Sequence, residues 1–65
     1  MPIANLLILA GRTPEIKQAL IRAVTTSIVD TLKVKPESVR VILQEVPPEH
    51  WGIGGVSARY RPGLL

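Results

Sequence analysis

The 65-residue chain contains no cysteine, one histidine and only two aromatic side chains, Trp51 and Tyr60. Without cysteine the chain has no disulfide and no thiolate ligand, and His50 alone cannot build a zinc site. No apolar run approaches the roughly 18–20 residues that a membrane span needs, and the apolar start, residues 3–10, lacks the basic region of a signal peptide. The sequence therefore predicts a cytoplasmic protein that has no metal site and no membrane anchor.

Charge of either sign is thinly spread along the chain. Eight basic and five acidic residues give a formal net charge of +3. They form no basic run, and they do not alternate with aromatic residues in the way that nucleic-acid-binding segments do. The balance favours a small anionic partner over a nucleic acid, although keeping the surface soluble accounts for the composition equally well.

The chain is so short that its stability is expected to depend on contacts with other copies. Residues 1–65 allow one domain, and a domain of this length buries only about 60% of its unfolded surface. Small domains usually compensate with disulfides, metals or oligomerisation, and the first two are excluded here. Because 46% of the residues are hydrophobic, we expect the excess aliphatic surface to lie between subunits of a homo-oligomer.

The first half of the chain predicts a strand followed by a long helix. Residues 3–9 form an almost continuous apolar run, which is typical of a strand covered on both faces. Thr13 can cap a helix that has Pro14 at its first position, and Pro36 ends the helical pattern. The helix is expected to pack on the sheet through one apolar stripe, with Lys17, Arg22 and Asp30 off it. The stripe contains Ile16, Leu20, Ala23, Val24, Ser27, Ile28, Thr31 and Leu32.

The second half supplies a partner strand and a short hairpin. Residues 39–46 are a β-branched run that places Val39, Val41 and Leu43 on one face and Arg40, Ile42 and Gln44 on the other. A strand, a helix and a strand make a β-α-β unit with parallel strands, and the glycine-rich segment 51–56 is suited to a tight hairpin. The predicted fold class is α+β. Since a two-stranded sheet is marginal in water, this unit is expected to assemble with other copies.

Four blocks of sequence then resemble a known family. They are Pro-Ile-Ala at 2–4, Leu-Ala-Gly-Arg-Thr at 9–13, Ser-Val-Arg-Val-Ile at 38–42 and His-Trp-Gly-Ile-Gly-Gly at 50–55. In this order and spacing they resemble the 4-oxalocrotonate tautomerase, or 2-hydroxymuconate tautomerase, family. The resemblance implies an isomerase of aromatic hydrocarbon catabolism that needs no metal or organic cofactor. It also implies a hexamer built as a trimer of dimers.

The resemblance assigns catalysis to Pro2. Its nitrogen is basic only after Met1 is removed, since an amide nitrogen has no basic lone pair. A general base works best when its pKa lies near the operating pH, and both burial in an apolar wall and nearby guanidinium groups lower the pKa of an amine. Leu7, Leu9 and Trp51 are expected to supply that wall. Without the resemblance, Pro2 is better interpreted as a proline that merely begins an edge strand.

Two arginines complete the site that the resemblance implies. Arg12 would bind the far carboxylate of the substrate, and Arg40 would reach into the site of a neighbouring subunit to bind the 2-oxygen and the adjoining carboxylate. The alternatives are a solvated Arg12 and an Arg40 that forms an interface salt bridge with Glu45 of a neighbour. Trp51 stands where the best-known members carry phenylalanine, and a core or interface role is equally compatible with it.

Other functions remain open at this point. A dehalogenase or hydratase of the same superfamily usually needs a further arginine near the end of the first strand, where this chain has Ile8 and Leu9. A non-catalytic oligomeric binding module would use the same apolar surface for assembly. His50 precedes Trp51 in a turn and is expected to point away from it, so no catalytic role is assigned to His50.

Overall fold

Two parallel strands form the sheet on which the chain is built. The computed structural model describes residues 1–61 and 63. Strand β1 spans Ile3–Leu9, and strand β2 spans Arg40–Val46 and pairs with β1 along its whole length. The predicted first strand and the parallel pairing are confirmed. Strand β2 begins one residue later than predicted because Val39 ends a short 3-10 turn, in which its N–H donates to the carbonyl of Pro36.

A single long helix connects the two strands. Helix α1 spans Pro14–Leu32, and the Oγ1 of its cap, Thr13, accepts a hydrogen bond from the N–H of Ile16 at 3.3 Å. The predicted start is confirmed. The helix ends before Pro36 because Lys33 adopts the left-handed conformation (φ 58°) that terminates helices. No helix among the described residues is long and apolar enough to cross a membrane.

The face through which α1 packs differs from the predicted stripe. Five of the predicted positions are exposed: Ile16, Ala23, Ser27, Thr31 and Leu32. The half-buried positions are Lys17, Leu20, Ile21, Val24, Thr25, Ile28 and Val29. The prediction is right for Leu20, Val24 and Ile28 and wrong for the other five positions. Helix α1 carries apolar residues on more than one face, so the periodicity alone does not fix its rotation. Lys17 lies toward the sheet and pairs with Glu45 of β2 at 2.8 Å.

Helix α1 covers only one face of the sheet. Alternation along β1 and its register with β2 place Ile3, Asn5, Leu7, Leu9, Arg40, Ile42, Gln44 and Val46 on the face opposite α1, here called the open face. Ile3 and Leu7 are 63% and 59% exposed on it. The prediction that β1 is covered on both faces therefore requires another copy of the chain.

The chain alone is too extended to enclose a core. Its radius of gyration is 14.5 Å, whereas a compact chain of this length has a radius of about 11 Å. Its accessible surface is 4812 Å², against about 4,100 Å² expected for a compact monomer of this mass. Among the described hydrophobic residues only Leu9, Val39 and Ala58 are buried. The fold is thus a subunit shape that needs partners.

A short hairpin follows β2, as predicted. Strands β3 (Gly52–Ile53) and β4 (Val56–Ser57) pair antiparallel. Gly54 and Gly55 connect them with φ values of 58° and 84°. Positive φ at both central residues is typical of a type I′ turn, which explains why two glycines stand there.

Candidate active site

Pro2 and Arg40 lie side by side at the amino ends of the two strands. The carbonyl of Pro2 accepts a hydrogen bond from the N–H of Arg40 at 3.0 Å, which is the first bond of the parallel ladder. Pro2 is half-buried. Its nitrogen takes no part in the ladder, because an amide proline has no N–H to donate. The fold therefore fixes Pro2 through its carbonyl and leaves its nitrogen unused.

The guanidinium of Arg40 is exposed and is held by backbone carbonyls. Its Nη1 donates to the carbonyl of Glu37 at 2.7 Å and to that of Val39 at 3.3 Å. Because Arg40 stands opposite Ile3 in the register, its side chain belongs to the open face. An anion or a second copy that reaches this face would meet the remaining donors of the guanidinium.

Arg12 lies beyond the opposite end of the sheet. Its Nη1 donates to the carbonyl of Leu9, the last residue of β1, at 3.2 Å, and its side chain is half-buried. Leu9 itself is 8% exposed. Gly11, between them, has a φ of 130°. This torsion was not predicted from the sequence, although a glycine that directly precedes an arginine at a strand exit is a usable signal.

Trp51 lies on the segment that follows the carboxyl end of β2. A 3-10 turn, Pro48–His50, leads to it, and its N–H donates to the carbonyl of Pro48 at 3.2 Å. Its carbonyl accepts from the N–H of Ala58 at 2.7 Å. The indole is half-buried, while His50 is exposed. Trp51 is therefore held by its backbone, near the hairpin rather than near Pro2.

One chain does not bring all of these residues together. A parallel strand rises about 3.3 Å per residue, so that Pro2 and Leu9 are roughly 23 Å apart along β1. A six-carbon dicarboxylate has five carbon–carbon bonds of about 1.5 Å each and cannot bridge that distance. Pro2 and Arg40 form one group, and Arg12 and Leu9 form another at the far end of the sheet. A site that uses both groups must combine different copies of the chain.

Acidic side chains form no competing centre in the described part of the chain. No three His, Asp or Glu residues among residues 1–61 and 63 are grouped as metal ligands would be. Glu45, the carboxylate considered as a partner for Arg40, pairs with Lys17 of its own chain. Within the described residues neither Arg12 nor Arg40 pairs with a carboxylate, so both guanidinium groups are available to an anionic ligand.

Comparison with known proteins gives one consistent family. The family model described as tautomerase enzyme matches residues 2–61. A probable tautomerase of Ralstonia nicotianae is 52% identical over 86% of this chain and 80% of its own length. A 2-hydroxymuconate tautomerase of Stutzerimonas stutzeri is 51% identical over 91% of this chain and 94% of its own.

Solved structures agree with these relatives. A heterohexameric 4-oxalocrotonate tautomerase from Chloroflexus aurantiacus superposes with a TM-score of 0.89 at 38% identity, over 94% of this chain and 98% of that one. Sequence and fold therefore lead to the same result. The chain belongs to the tautomerase family, whose members are isomerases.

Proposed function

We propose that this protein is a cofactor-independent keto-enol tautomerase whose general base is the free amine of Pro2. The substrate class is a 2-hydroxydienoate dicarboxylate such as 2-hydroxymuconate. Support comes from the family and from relatives that are named 2-hydroxymuconate tautomerases. The residues proposed to act come from the family resemblance, and their positions at the strand ends are compatible with those roles.

The position of the Pro2 nitrogen carries the proposal. Because the fold holds Pro2 only through its carbonyl bond to Arg40, cleavage of Met1 creates a secondary amine without removing any bond of the sheet. The amine is then anchored at the start of a strand and points out of the ladder. A fixed base of this kind loses little entropy when it meets a bound substrate.

The amine takes the proton of the 2-hydroxyl group and returns a proton to a distal carbon of the diene. Electrons of the O–H bond form the C=O bond, and the conjugated double bonds shift by one position, so that the product is a conjugated ketone. The base is regenerated in each cycle. For this exchange the pKa of the Pro2 amine must lie near neutrality, and an apolar, cationic environment lowers it in that direction.

Arg40 and Arg12 hold the two anionic ends of the substrate. Arg40 binds the 2-oxygen and its adjoining carboxylate, where negative charge develops as the proton leaves. Arg12 binds the far carboxylate through its planar guanidinium. Leu9 and Trp51 form the apolar wall that keeps water from the amine. These roles come with the family resemblance, and the location of each side chain at a strand end is compatible with them.

The active unit is a homo-oligomer, and a hexamer is the proposed form. The exposed Ile3 and Leu7 need cover, and the groups at the two sheet ends need to meet. Packing of the open face against other copies would cover these side chains and, as the resemblance implies, carry Arg40 of one chain toward the site of another. The heterohexameric relative supports an assembly of this size.

The test compares purified wild type, freed of Met1, with Pro2→Ala on 2-hydroxymuconate and on phenylenolpyruvate. We expect wild type to convert the dicarboxylate with a rate that rises through one ionisation near neutrality. Pro2→Ala should lose nearly all turnover while size-exclusion chromatography shows an unchanged oligomer. If wild type converts neither enol faster than buffer does, these substrates are wrong. If Pro2→Ala keeps full turnover, the secondary amine of Pro2 is not required for catalysis.

A further inference from the structure

The connection between β1 and α1 is fixed at both of its ends. On the strand side, the N–H of Ala10 donates to the carbonyl of Val46 at 3.0 Å and extends the ladder by one residue. On the helix side, the carbonyl of Thr13 accepts from the N–H of Lys17 at 3.1 Å. Only residues 11–12 lie between these two anchors. The direction in which Arg12 leaves the chain is therefore set by very few backbone torsions.

Gly11 adopts a backbone conformation that L-residues rarely reach. Its φ of 130° lies outside the regions allowed to residues with a Cβ. Gly11 is exposed, so its lack of a side chain is not explained by packing in a core. Its neighbour Arg12 turns back over it, and the guanidinium donates to the carbonyl of Leu9. The torsion at Gly11 and the position of the guanidinium belong to one local arrangement.

We infer that Gly11 is a positioning residue, whose positive φ directs the guanidinium of Arg12 toward the far carboxylate of the substrate. The inference rests on the proposed role of Arg12. An L-residue at position 11 would favour negative φ. Since both anchors are fixed, the chain would accommodate it by turning Arg12 away from Leu9. The affinity for a second carboxylate would fall, and the rest of the site would be retained.

The sharpest test changes the preferred sign of φ without changing composition. A chain of this length can be made by chemical synthesis and ligation, starting at Pro2, with glycine, L-alanine or D-alanine at position 11. Both alanines add the same methyl group, but only D-alanine favours positive φ. The probes are muconate and sorbate, two six-carbon dienes that carry two carboxylates and one carboxylate respectively. Their ratio of dissociation constants, measured by calorimetry on the assembled protein, isolates the second carboxylate.

We expect Gly11→Ala to weaken muconate binding by about tenfold, the scale of one charge-assisted hydrogen bond, and to leave sorbate within about twofold. Gly11→D-Ala should retain the wild-type preference for muconate. Gly11→Ala combined with Arg12→Ala should bind muconate no more weakly than Arg12→Ala alone, since two residues that act as a unit are not additive. Sorbate binding and helix content report separately that each chain is folded and assembled.

Several outcomes would overturn the inference. If L-alanine and D-alanine reduce the preference equally, the added methyl group is responsible and the torsion is not. If Gly11→Ala keeps the full preference, Gly11 does not position Arg12, while the role of Arg12 stands. If wild type itself binds muconate no better than sorbate, the role of Arg12 fails and the inference fails with it. Because binding is measured without turnover, none of these results depends on whether Pro2 is the base.

Discussion

Pro2 contributes its carbonyl oxygen to the fold and its nitrogen to nothing within the described structure. Because the two atoms have separate uses, Pro2 can begin the hydrogen bonding of the sheet and, in the proposed enzyme, present a reactive amine once Met1 is removed. The same holds for Arg40. Its backbone N–H donates to Pro2, whereas its guanidinium lies on the open face and bonds only to two backbone carbonyls among the described residues. The backbones build the sheet, and the proposed chemistry uses atoms that the sheet leaves free.

Replacing Arg40 should affect turnover far more than folding. For Arg40→Gln we expect a fall in kcat of roughly 100-fold, because one donor to the developing oxyanion is lost. The bond of its side chain to Glu37 is exposed and the longer bond to Val39 is part-buried, so we expect the free energy of unfolding to change by about 1 kcal/mol or less. Steady-state kinetics and urea unfolding measure the two effects.

Arg22 provides the matched control for Arg40. It is an exposed arginine on α1 to which the proposed site assigns no role, and Arg22→Gln removes the same charge. Unchanged turnover in Arg22→Gln would show that net charge is not the cause. An equal loss in both variants would contradict the assignment of Arg40 to the substrate.

The elements were largely predictable because their signals are local. A continuous apolar run gave β1, and Thr13 followed by Pro14 gave the start of α1. The end of α1 was harder to predict, since Lys33 adopts a left-handed conformation that is unusual for lysine and has no local sequence signal. The predicted rotation of α1 was only partly right, for a different reason. Apolar residues surround much of the helix, and the deciding contact, Lys17 with Glu45, joins residues far apart in sequence.

Lys33 offers a test at the level of the helix. Glycine adopts positive φ without the steric cost that a Cβ imposes, so we expect Lys33→Gly to raise the free energy of unfolding by up to about 1 kcal/mol. Lys35 is the control, because it is also an exposed lysine but has an extended φ of −79°. Lys35→Gly should be neutral or destabilising. Thermal unfolding of both variants at one protein concentration decides, and equal stabilisation in both would contradict the argument.

The sequence does not predict how the site residues come together in the whole molecule. The residues assigned to the site were named from the resemblance, but the chain places them in two groups at opposite ends of the sheet. In the proposed site they meet only through contacts between copies, which local patterns such as strand periodicity do not encode. Composition predicted only that assembly is needed, and the exposed open face supports that prediction.

A charged side chain introduced on the open face should prevent the subunits from assembling. Leu7 is 59% exposed within the single chain, and Leu32, at the end of α1, is 57% exposed. We expect Leu7→Glu to prevent oligomerisation and to abolish turnover, because burying an unpaired carboxylate between subunits is costly. Leu32→Glu should leave both unchanged. Analytical ultracentrifugation with parallel assays measures this, and an intact oligomer in Leu7→Glu would show that the open face is not an interface.

The central claim is that the free amine of Pro2 is the base, and Met1 provides its most direct test. Protein that retains Met1, verified by intact mass, should assemble normally and fail to convert 2-hydroxymuconate. Treatment of the same sample with a methionine aminopeptidase should remove one methionine by mass and restore turnover in proportion to the fraction cleaved. Full turnover with Met1 still attached, or none after complete removal, would contradict the account.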